Sequence, residues 1–414
     1  MPKTIKFLTL FFVIQLALSG CKQNEDTISF YDQHIKVGAL VPLTGSGSSP
    51  GKAGQAGIQL AVEDIKNHLK LTNPSWQFDV MIEDTETDTL VALQKYNKLK
   101  TNGIKLIIGP FSSAVLKSLK PYADADRILL ISPASVAKSI AQPNDQVFRL
   151  LPNVISQGEA VTALMIADQV EYILPVFRND IWGTELLETT VSQFTEAGFM
   201  AAEPVSYNAD EQHFESIITQ LHQQLQLALQ SYPVEKIGIY LLSYGEGLDI
   251  LELASQDELF SGIRWYGNSA FAENHEITNK PQVADFAESV DLACPSFGLD
   301  PEAASLWQPI IAKLEQMLNR KPEIFAFTSY DAAWLAMKTY LESTHAPNTE
   351  LLYQNFIKQS SQYFGTTGWT QLNASGDRNA ASYDFWGITT DNSTTKWEIK
   401  ARYNNLTGEL IRLD

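Results

Sequence analysis

Cysteine, histidine and long apolar segments are all scarce in this sequence of 414 residues. Its two cysteines, Cys21 and Cys294, are too few for the disulfide framework that supports many small secreted domains. The six histidines are scattered, and none lies three or four residues from another, so a zinc-ligand spacing is missing. The apolar segment Phe7 to Leu18 is shorter than the roughly 20 residues that a membrane-spanning helix needs. The sequence therefore indicates neither a metal site nor a stable membrane span.

Basic side chains are also in short supply. The 30 lysines and arginines stand against 48 aspartates and glutamates, which gives a formal net charge of −18 at pH 7. This excess of negative charge argues against a nucleic-acid partner and against attraction to anionic lipids through a basic patch. We interpret most of the carboxylates as a solvated acidic surface. The chain is long enough for two domains, each with its own core.

The first residues predict export from the cytoplasm. Lys3 and Lys6 precede the apolar segment, and Leu18-Ser19-Gly20-Cys21 follows it, which is the layout of a signal peptide over residues 1–20. The four residues that end at Cys21 resemble the lipobox of bacterial lipoproteins, and this implies cleavage before Cys21 and its lipidation. The alternative is an ordinary exported protein in which that cysteine stands by chance. We expect residues 21–34 to form a lipidated tether that anchors an extracytoplasmic protein, periplasmic or at the cell surface.

From Ile35 onward, short apolar runs alternate with amphipathic helical segments. Such runs, bounded by glycine or proline, are typical of strands in a parallel α/β sheet. The pattern restarts after Pro152, so we predict two lobes rather than one large sheet. The predicted strands cover residues 35–40, 78–82, 104–108 and 128–131 in the first block, and 172–177, 236–242 and 264–267 in the second.

The residues that follow each strand are the place to look for a ligand, because doubly wound sheets bind ligands beyond the carboxyl ends of their strands. Most of these residues are small and polar, and no group of acids or histidines stands out. The loop Gly47–Gly51 matches G-x-S-x-G by letters. Pro50 follows its serine and has no N–H for an oxyanion hole, so we reject a hydrolase nucleophile there. We expect no enzymatic activity and no cofactor.

Several segments together resemble type I periplasmic substrate-binding proteins, in particular the branched-chain amino-acid and amide receptors of ABC importers. The segments are VGALVPLTGSGSSPGKAGQAGIQLAVEDIKN, IIGPFSSAV, LLISPAS, FRLLPNVISQGEA, NDIWGTELLETTVSQFTEAG, FTSYDAAWLAMK and FGTTGWTQLNASGDR. The resemblance implies two Rossmann-like lobes joined by a hinge of three crossovers, with a ligand in the cleft. The predicted lobes comprise residues 35–151 with 292–345, and 152–291 with 346–414.

The resemblance also implies ligand positions in the first lobe. Ser113 corresponds to the serine that contacts the ligand carboxylate in relatives, although a serine there is equally suited to capping the helix predicted from Ala114. Ala134 follows the proline of the next loop, where relatives use the backbone. Val136 stands where relatives have a threonine or serine, so a hydroxyl is missing unless Ser135 substitutes for it.

In the second lobe the resemblance points to aromatic contacts. Trp182 is expected to pack over the ligand, and Tyr244 follows another predicted strand. Ser269 stands where amino-acid receptors often carry an acid that pairs with the ligand ammonium, and it cannot make that contact. Four other acids remain open as replacements, namely Asp180, Glu246, Glu273 and Asp331. A ligand with fewer charges, or one held by aromatic rings, becomes more plausible than an ordinary α-amino acid.

Two functions remain open from the sequence. The first is a lipid-anchored receptor, expected to be a monomer, that delivers a small polar molecule to an ABC permease. The second is a type I binding fold used for protein interaction or sensing, as in lipoprotein activators of penicillin-binding proteins. The positions of Trp182 and Tyr244 favour the first, and the substitutions at Val136 and Ser269 keep the second open.

Overall fold

The computed structural model describes residues 33–343, 348–379, 382–391 and 394–413. The predicted signal peptide, the predicted lipidation site Cys21 and most of the predicted tether lie outside the described residues. No helix within the described ranges is long and apolar enough to cross a membrane.

The first sheet contains five parallel strands in the order β2-β1-β3-β4-β5. These strands are β1 Gln33–Val41, β2 Trp76–Asp84, β3 Leu106–Ile108, β4 Leu129–Ser132 and β5 Val147–Arg149. The connecting helices are α1 Ser48–Thr72, α2 Thr89–Thr101 and α3 Ser113–Asp126. All residues of β3, β4 and β5 are buried, as expected for a parallel sheet covered by helices on both faces.

The second sheet repeats this arrangement with the order β10-β9-β6-β7, and β8 also pairs with β6. Its strands are β6 Tyr172–Arg178, β7 Met200–Ala201, β8 Val205–Tyr207, β9 Ile237–Leu242 and β10 Arg264–Tyr266. Its helices are α4 Val154–Ala167, α5 Ile181–Glu196, α6 Glu215–Ala228 and α7 Gly247–Ala254. Two parallel sheets with interleaved helices confirm the predicted α/β fold class.

The last third of the chain adds an antiparallel sheet that the sequence patterns did not reveal. Its order is β11-β14-β15-β16, with β11 Cys294–Phe297, β14 Ser382–Asp391, β15 Thr394–Asn404 and β16 Glu409–Arg412. A short hairpin joins β12 Phe364–Gly365 to β13 Gly368–Trp369. The helices of this part are α8 His275–Thr278, α9 Pro281–Ser289, α10 Ala304–Leu318, α11 Ile324–Leu341 and α12 Thr349–Gln362.

Helix α11 returns to the first sheet and packs along α1. It is apolar around its whole circumference and almost entirely buried, as expected of a core helix. The close approach of α1 and α11 depends on Gly57, because a Cβ atom there would lie 1.9 Å from the carbonyl oxygen of Ala326. A larger residue at this position would push the two helices apart.

The lobe boundaries at residues 292 and 345 stay a prediction, and the strand pairing suggests a refinement. Ala293 bridges to Tyr266 of β10, and β11 pairs with β14, so residues 293–297 lie beside the second sheet. Helix α12 packs on α11, which itself packs on α1. We therefore propose that the chain passes to the first lobe after Phe297 and leaves it after α12.

Candidate functional site

Loops from both parallel sheets enclose a cavity of about 340 Å³. Residues that follow β1, β3 and β4 line one side, which we call the first-sheet side, and Phe325 of α11 joins them. Residues that follow β6, β9 and β10 line the other, which we call the second-sheet side. This is the crevice beyond the carboxyl ends of the strands where the sequence predicted a ligand.

Six of the seven predicted contact residues line this cavity. They are Ser113, Ala134 and Val136 on the first-sheet side, and Trp182, Tyr244 and Ser269 on the second-sheet side. Ser135 lies behind the lining and is only 1% exposed. The fold therefore brings the predicted residues together, and whether they contact a ligand stays a prediction.

The hydroxyl of Ser113 is occupied within the protein. It lies 2.9 Å from the hydroxyl of Ser135, and it accepts hydrogen bonds of 3.3 Å from the backbone N–H groups of Val136 and Ala137. Ser113 thus ties the start of α3 to the loop after β4. Val136 needs no hydroxyl for this arrangement, because its backbone N–H makes the contact.

Ser112 is a lining residue that the sequence reasoning missed. It occupies the N-cap position of α3, but its side chain makes no capping hydrogen bond, and it lines the cavity. The helix begins one residue earlier than predicted, at Ser113 rather than Ala114. Both serines therefore line the cavity, and the hydroxyl of Ser113 is the one that the loop after β4 occupies.

Two stacked aromatic rings form part of the second-sheet side. The ring centroids of Trp182 and Tyr244 are 4.7 Å apart with an interplanar angle of 27°. The guanidinium carbon of Arg178 lies 4.7 Å from the centroid of the Tyr244 ring. Burial, reinforced by the nearby carboxylate of Asp180, raises the pKa of Tyr244 far above its ordinary value, so its hydroxyl stays protonated.

Arg178 organises the carboxylates beneath these rings. Its guanidinium lies 2.8 Å from Asp180 Oδ2 and 2.8 Å from Glu246 Oε1, and its side chain is only 7% exposed. Asp180 also caps α5 by accepting a hydrogen bond of 2.9 Å from the N–H of Gly183. Tyr207 donates a hydrogen bond of 3.1 Å to Glu246 Oε1. Asp180 therefore has structural partners, whereas Glu246 both joins this network and lines the cavity.

Asp331 and Glu273, the other two acids considered as partners of a ligand ammonium, lie outside this cavity. Asp331 is fully buried within α11, and its carboxylate accepts hydrogen bonds from the backbone N–H groups of Thr366 and Thr367 at 2.8 and 2.9 Å. Glu273 lines a separate cavity between β14, β15 and α10. Burial, followed by the carboxylates of Glu323 and Asp384, raises its pKa to about 8.

Asn268 positions the loop that carries Ser269. Its side-chain amide donates to the carbonyl oxygens of Leu241 and Ser243 at 3.3 and 2.9 Å, and its Oδ1 accepts from the N–H of Ala270 at 2.8 Å. Asn268 is fully buried. The sequence gave no signal for this role, because the bonds join residues that follow two different strands.

The loop between β1 and α1 contacts the second-sheet side through Ser46. The carbonyl oxygen of Ser46 accepts a hydrogen bond of 3.2 Å from Gly245 N–H, and its hydroxyl lies 3.4 Å from Arg178 Nη1. These contacts bridge the two sides without any ligand atom. Across the described ranges, no three or more histidine, cysteine, aspartate or glutamate side chains come together as a potential metal site.

Comparison with known proteins gives consistent matches. A family model described as periplasmic binding protein matches residues 34–225. The leucine-, isoleucine-, valine-, threonine- and alanine-binding protein of Pseudomonas aeruginosa is 25% identical over 316 residues, which cover 73% of this chain and 77% of that protein.

Solved structures share the fold over nearly the whole chain. The leucine-binding protein LivK of Thermotoga maritima superposes with a TM-score of 0.74 at 18% identity, covering 90% of this chain and 99% of that one. An ABC-transporter solute-binding protein of Rhodopseudomonas palustris, in complex with 3,4-dihydroxybenzoic acid, gives a TM-score of 0.73 at 14% identity, covering 90% and 97%. At these identities the solved structures show the fold alone.

The two parallel sheets, the cavity between their loops and these structures define the fold of type I periplasmic binding proteins. The family model and the Pseudomonas relative agree with the resemblance to branched-chain amino-acid receptors that the sequence motifs predicted. The matched model describes periplasmic binding proteins, and this agrees with a place outside the cytoplasm and a role in binding.

Proposed function

We propose that this protein is a lipid-anchored receptor that captures a small polar molecule between its two sheets and delivers it to an ABC permease. The observation that carries the proposal is the cavity itself, which is lined from both sides and has Trp182 and Tyr244 stacked in its lining. Ligand pockets are concave and mostly apolar, with a few polar groups that fix orientation. The serine hydroxyls and Glu246 supply such groups here.

The size of the cavity suits amino acids and related compounds, because its volume of about 340 Å³ lies at the small end of ligand pockets. The Pseudomonas relative is named for five amino acids, and the Rhodopseudomonas structure contains an aromatic acid. In our proposal Ser112, the loop Ala134–Val136 and Ser269 hydrogen-bond the ligand, while Trp182 and Tyr244 cover it. Ser113 contributes through the loop that it holds.

The test of this proposal is a ligand screen followed by scattering. Purified protein without residues 1–20 is screened by thermal shift against amino acids, amino amides, aromatic acids and short peptides, and each hit is titrated by calorimetry. A ligand that bridges the two sides should favour a closed form, so the radius of gyration from small-angle scattering should fall on saturation. A bound ligand with an unchanged scattering profile would contradict hinge closure, and the absence of any hit would contradict the receptor function.

The proposed anchor is tested separately through Cys21. Serine cannot form the thioether, so Cys21→Ser should give an unlipidated precursor. The matched control is Cys294→Ala, which removes the buried thiol and should leave acylation intact. Intact-mass analysis of membrane-extracted protein measures both. A mature wild-type chain that carries no acyl mass would contradict the proposed anchor.

A further inference from the structure

Charge is distributed unevenly over the lining of the cavity. The carboxylates of Glu246, Asp249 and Glu276 line it, whereas no lysine, arginine or histidine does so among the residues that the structure describes. All three acids belong to the second-sheet side, where they follow β9 and β10. The first-sheet side contributes serines, backbone and apolar groups. Arg320, which donates to the carbonyl oxygen of the lining residue Ser49, is already paired with Glu323.

The nearest buried cation does not neutralise this side. Arg178 lies between two carboxylates, those of Asp180 and Glu246, so the three groups together keep one negative charge. Glu246 Oε1 takes the hydrogen bonds from Arg178 and Tyr207, whereas Oε2 is buried with no hydrogen-bond partner among the described residues. Oε2 is closed to the cavity, so Glu246 acts on a ligand through its charge rather than through a hydrogen bond from this oxygen.

The negative charges of Asp249 and Glu276 are balanced even less by nearby cations. Lys280 Nζ lies 4.0 Å from Asp249 Oδ1 but 3.0 Å from Glu252 Oε2, so one ammonium is shared by two carboxylates. Glu276 has no ion pair among the described residues, and its hydrogen bond to Asn274 is made by its backbone N–H. The acids therefore give the cavity a negative electrostatic potential. Clefts with low-dielectric sides concentrate such a potential.

Trp182 adds to the attraction for a cation. Tyr244 already has Trp182 stacked against it and the Arg178 guanidinium over its ring, so Trp182 is the ring that remains for a cationic ligand. Aromatic ring faces carry partial negative charge, and an ammonium group near such a face is stabilised. A ligand carboxylate would instead meet three acids across a cavity of about 340 Å³, where charges are screened poorly. Hydroxyl and backbone donors on the first-sheet side suit a neutral carbonyl group as well as a carboxylate.

We infer that the ligand of this cleft carries a net positive charge and is a compact apolar amine or amino amide, rather than a zwitterionic amino acid or an aromatic acid. The inference rests on the proposed receptor function and names the substrate class of the same cavity. It differs from what the names of the relatives say of those proteins, which concern amino acids and a benzoic acid derivative.

The test compares ligands that share one body and differ only in charge. Leucinamide, leucine and 4-methylpentanoate form one series, and phenylalaninamide, phenylalanine and 3-phenylpropanoate form a second. Calorimetric titration at pH 6.5 keeps the amines protonated, because this is below the ordinary pKa of an α-amino group. We expect the amide of at least one series to bind at least tenfold more tightly than its amino acid, and the matching acid to bind at least about a hundredfold more weakly than the amide.

Two acids of the cavity serve as variants, with two matched controls. Asp249→Asn combined with Glu276→Gln should weaken amide binding at least fivefold and reduce the preference over the amino acid. Asp210→Asn combined with Glu409→Gln removes two exposed carboxylates outside this cavity and should leave both affinities unchanged. Asp249 and Glu276 lie in first turns of helices, where carboxylates also stabilise the helix, so the Tm of each variant is measured alongside.

The outcomes separate the inference from the function on which it rests. An amino acid that binds as tightly as its amide, or an acid that binds within tenfold of it, overturns the inference and leaves the receptor function standing. Equal weakening by the cavity pair and by the control pair also overturns it. If none of the six compounds binds and the broader screen gives no hit, the receptor function is contradicted and the inference falls with it.

Discussion

The two sides of the cavity are built differently. On the first-sheet side, the polar groups mostly satisfy one another, as the hydroxyl of Ser113 does with Ser135 and the backbone of the next loop. On the second-sheet side, stacked rings and carboxylates line the cavity, and Arg178 holds some of them in place. The contrast teaches that the two sides have different parts in the proposed receptor: the first is a hydrogen-bonded frame, and the second supplies the charge and shape with which we propose that it selects a ligand.

The largest effect should come from removing the aromatic part of the second-sheet side. Trp182→Ala deletes a side chain that is 3% exposed and stacked on Tyr244. We expect binding to weaken by at least about 2 kcal/mol, and the free energy of unfolding to fall by about 3–5 kcal/mol. Calorimetric titration with a ligand found in the screen measures the affinity, and urea denaturation measures the free energy of unfolding.

The matched control for this change is Trp369→Ala. Trp369 is 50% exposed in the short hairpin and does not line the cavity. The Trp369→Ala variant should therefore bind the ligand with wild-type affinity. If the folded Trp182→Ala variant also bound with wild-type affinity, the second-sheet side would not be selecting the ligand, and the comparison between the two sides would fail.

A smaller effect should separate two neighbouring serines of the first-sheet side. Ser113→Ala leaves the N–H groups of Val136 and Ala137 without their acceptor, so the free energy of unfolding should fall by about 1–3 kcal/mol. Ser112→Ala removes a hydroxyl that lines the cavity and makes no capping bond, so it should cost about 0.5–1.5 kcal/mol of ligand affinity and little stability. The reverse pattern in denaturation and calorimetry would show that Ser113 is the direct contact.

The last prediction concerns a carboxyl that, unlike Glu246, has no cation in hydrogen-bonding contact. The pKa of Glu273 is raised by burial to about 8 from an ordinary value of 4.5, so the folded protein favours its protonated form. Its contribution to stability is therefore fully present below about pH 4.5 and is lost as the pH rises towards about 8. Glu273→Gln should flatten the pH dependence of the unfolding free energy over this interval and leave the variant more stable than wild type at pH 8. Identical pH profiles for the two proteins would contradict the raised pKa.

Much of the parallel α/β framework was predictable from the sequence, because its strands are continuous apolar runs that end at glycine or proline. The runs 104–108 and 128–131 correspond to β3 and β4, for example. The start of the first helix was not predictable, because glycines such as Gly51 and Gly54 are typical of loops, yet both lie within α1, which begins at Ser48. Packing requires glycine at these positions. A Cβ atom at Gly51 would lie 1.9 Å from the carbonyl oxygen of Pro42.

The site was predictable in outline and not in its details. Residues after strands converge in a doubly wound fold, so Trp182, Tyr244 and Ser269 were found without coordinates. Which of the two adjacent serines has its hydroxyl bound within the protein depends on one residue of helix register, and sequence patterns do not resolve helix ends that finely. Asp331, one of the four acids left open, lies inside α11 and accepts hydrogen bonds from Thr366 and Thr367, which are distant in the sequence.

The contacts of Ser46 have a consequence for apparent affinity. In the proposed hinge motion, a hydrogen bond from Gly245 to Ser46 forms when the two sides meet, whether or not a ligand lies between them. Such a bond raises the fraction of molecules that are closed before binding. Apparent affinity for a ligand that needs the closed form rises in proportion to that fraction. In the proposed motion, a bond between two parts of the protein thus helps to set the concentration at which the cleft fills, and affinity can change while the groups that select the ligand stay the same.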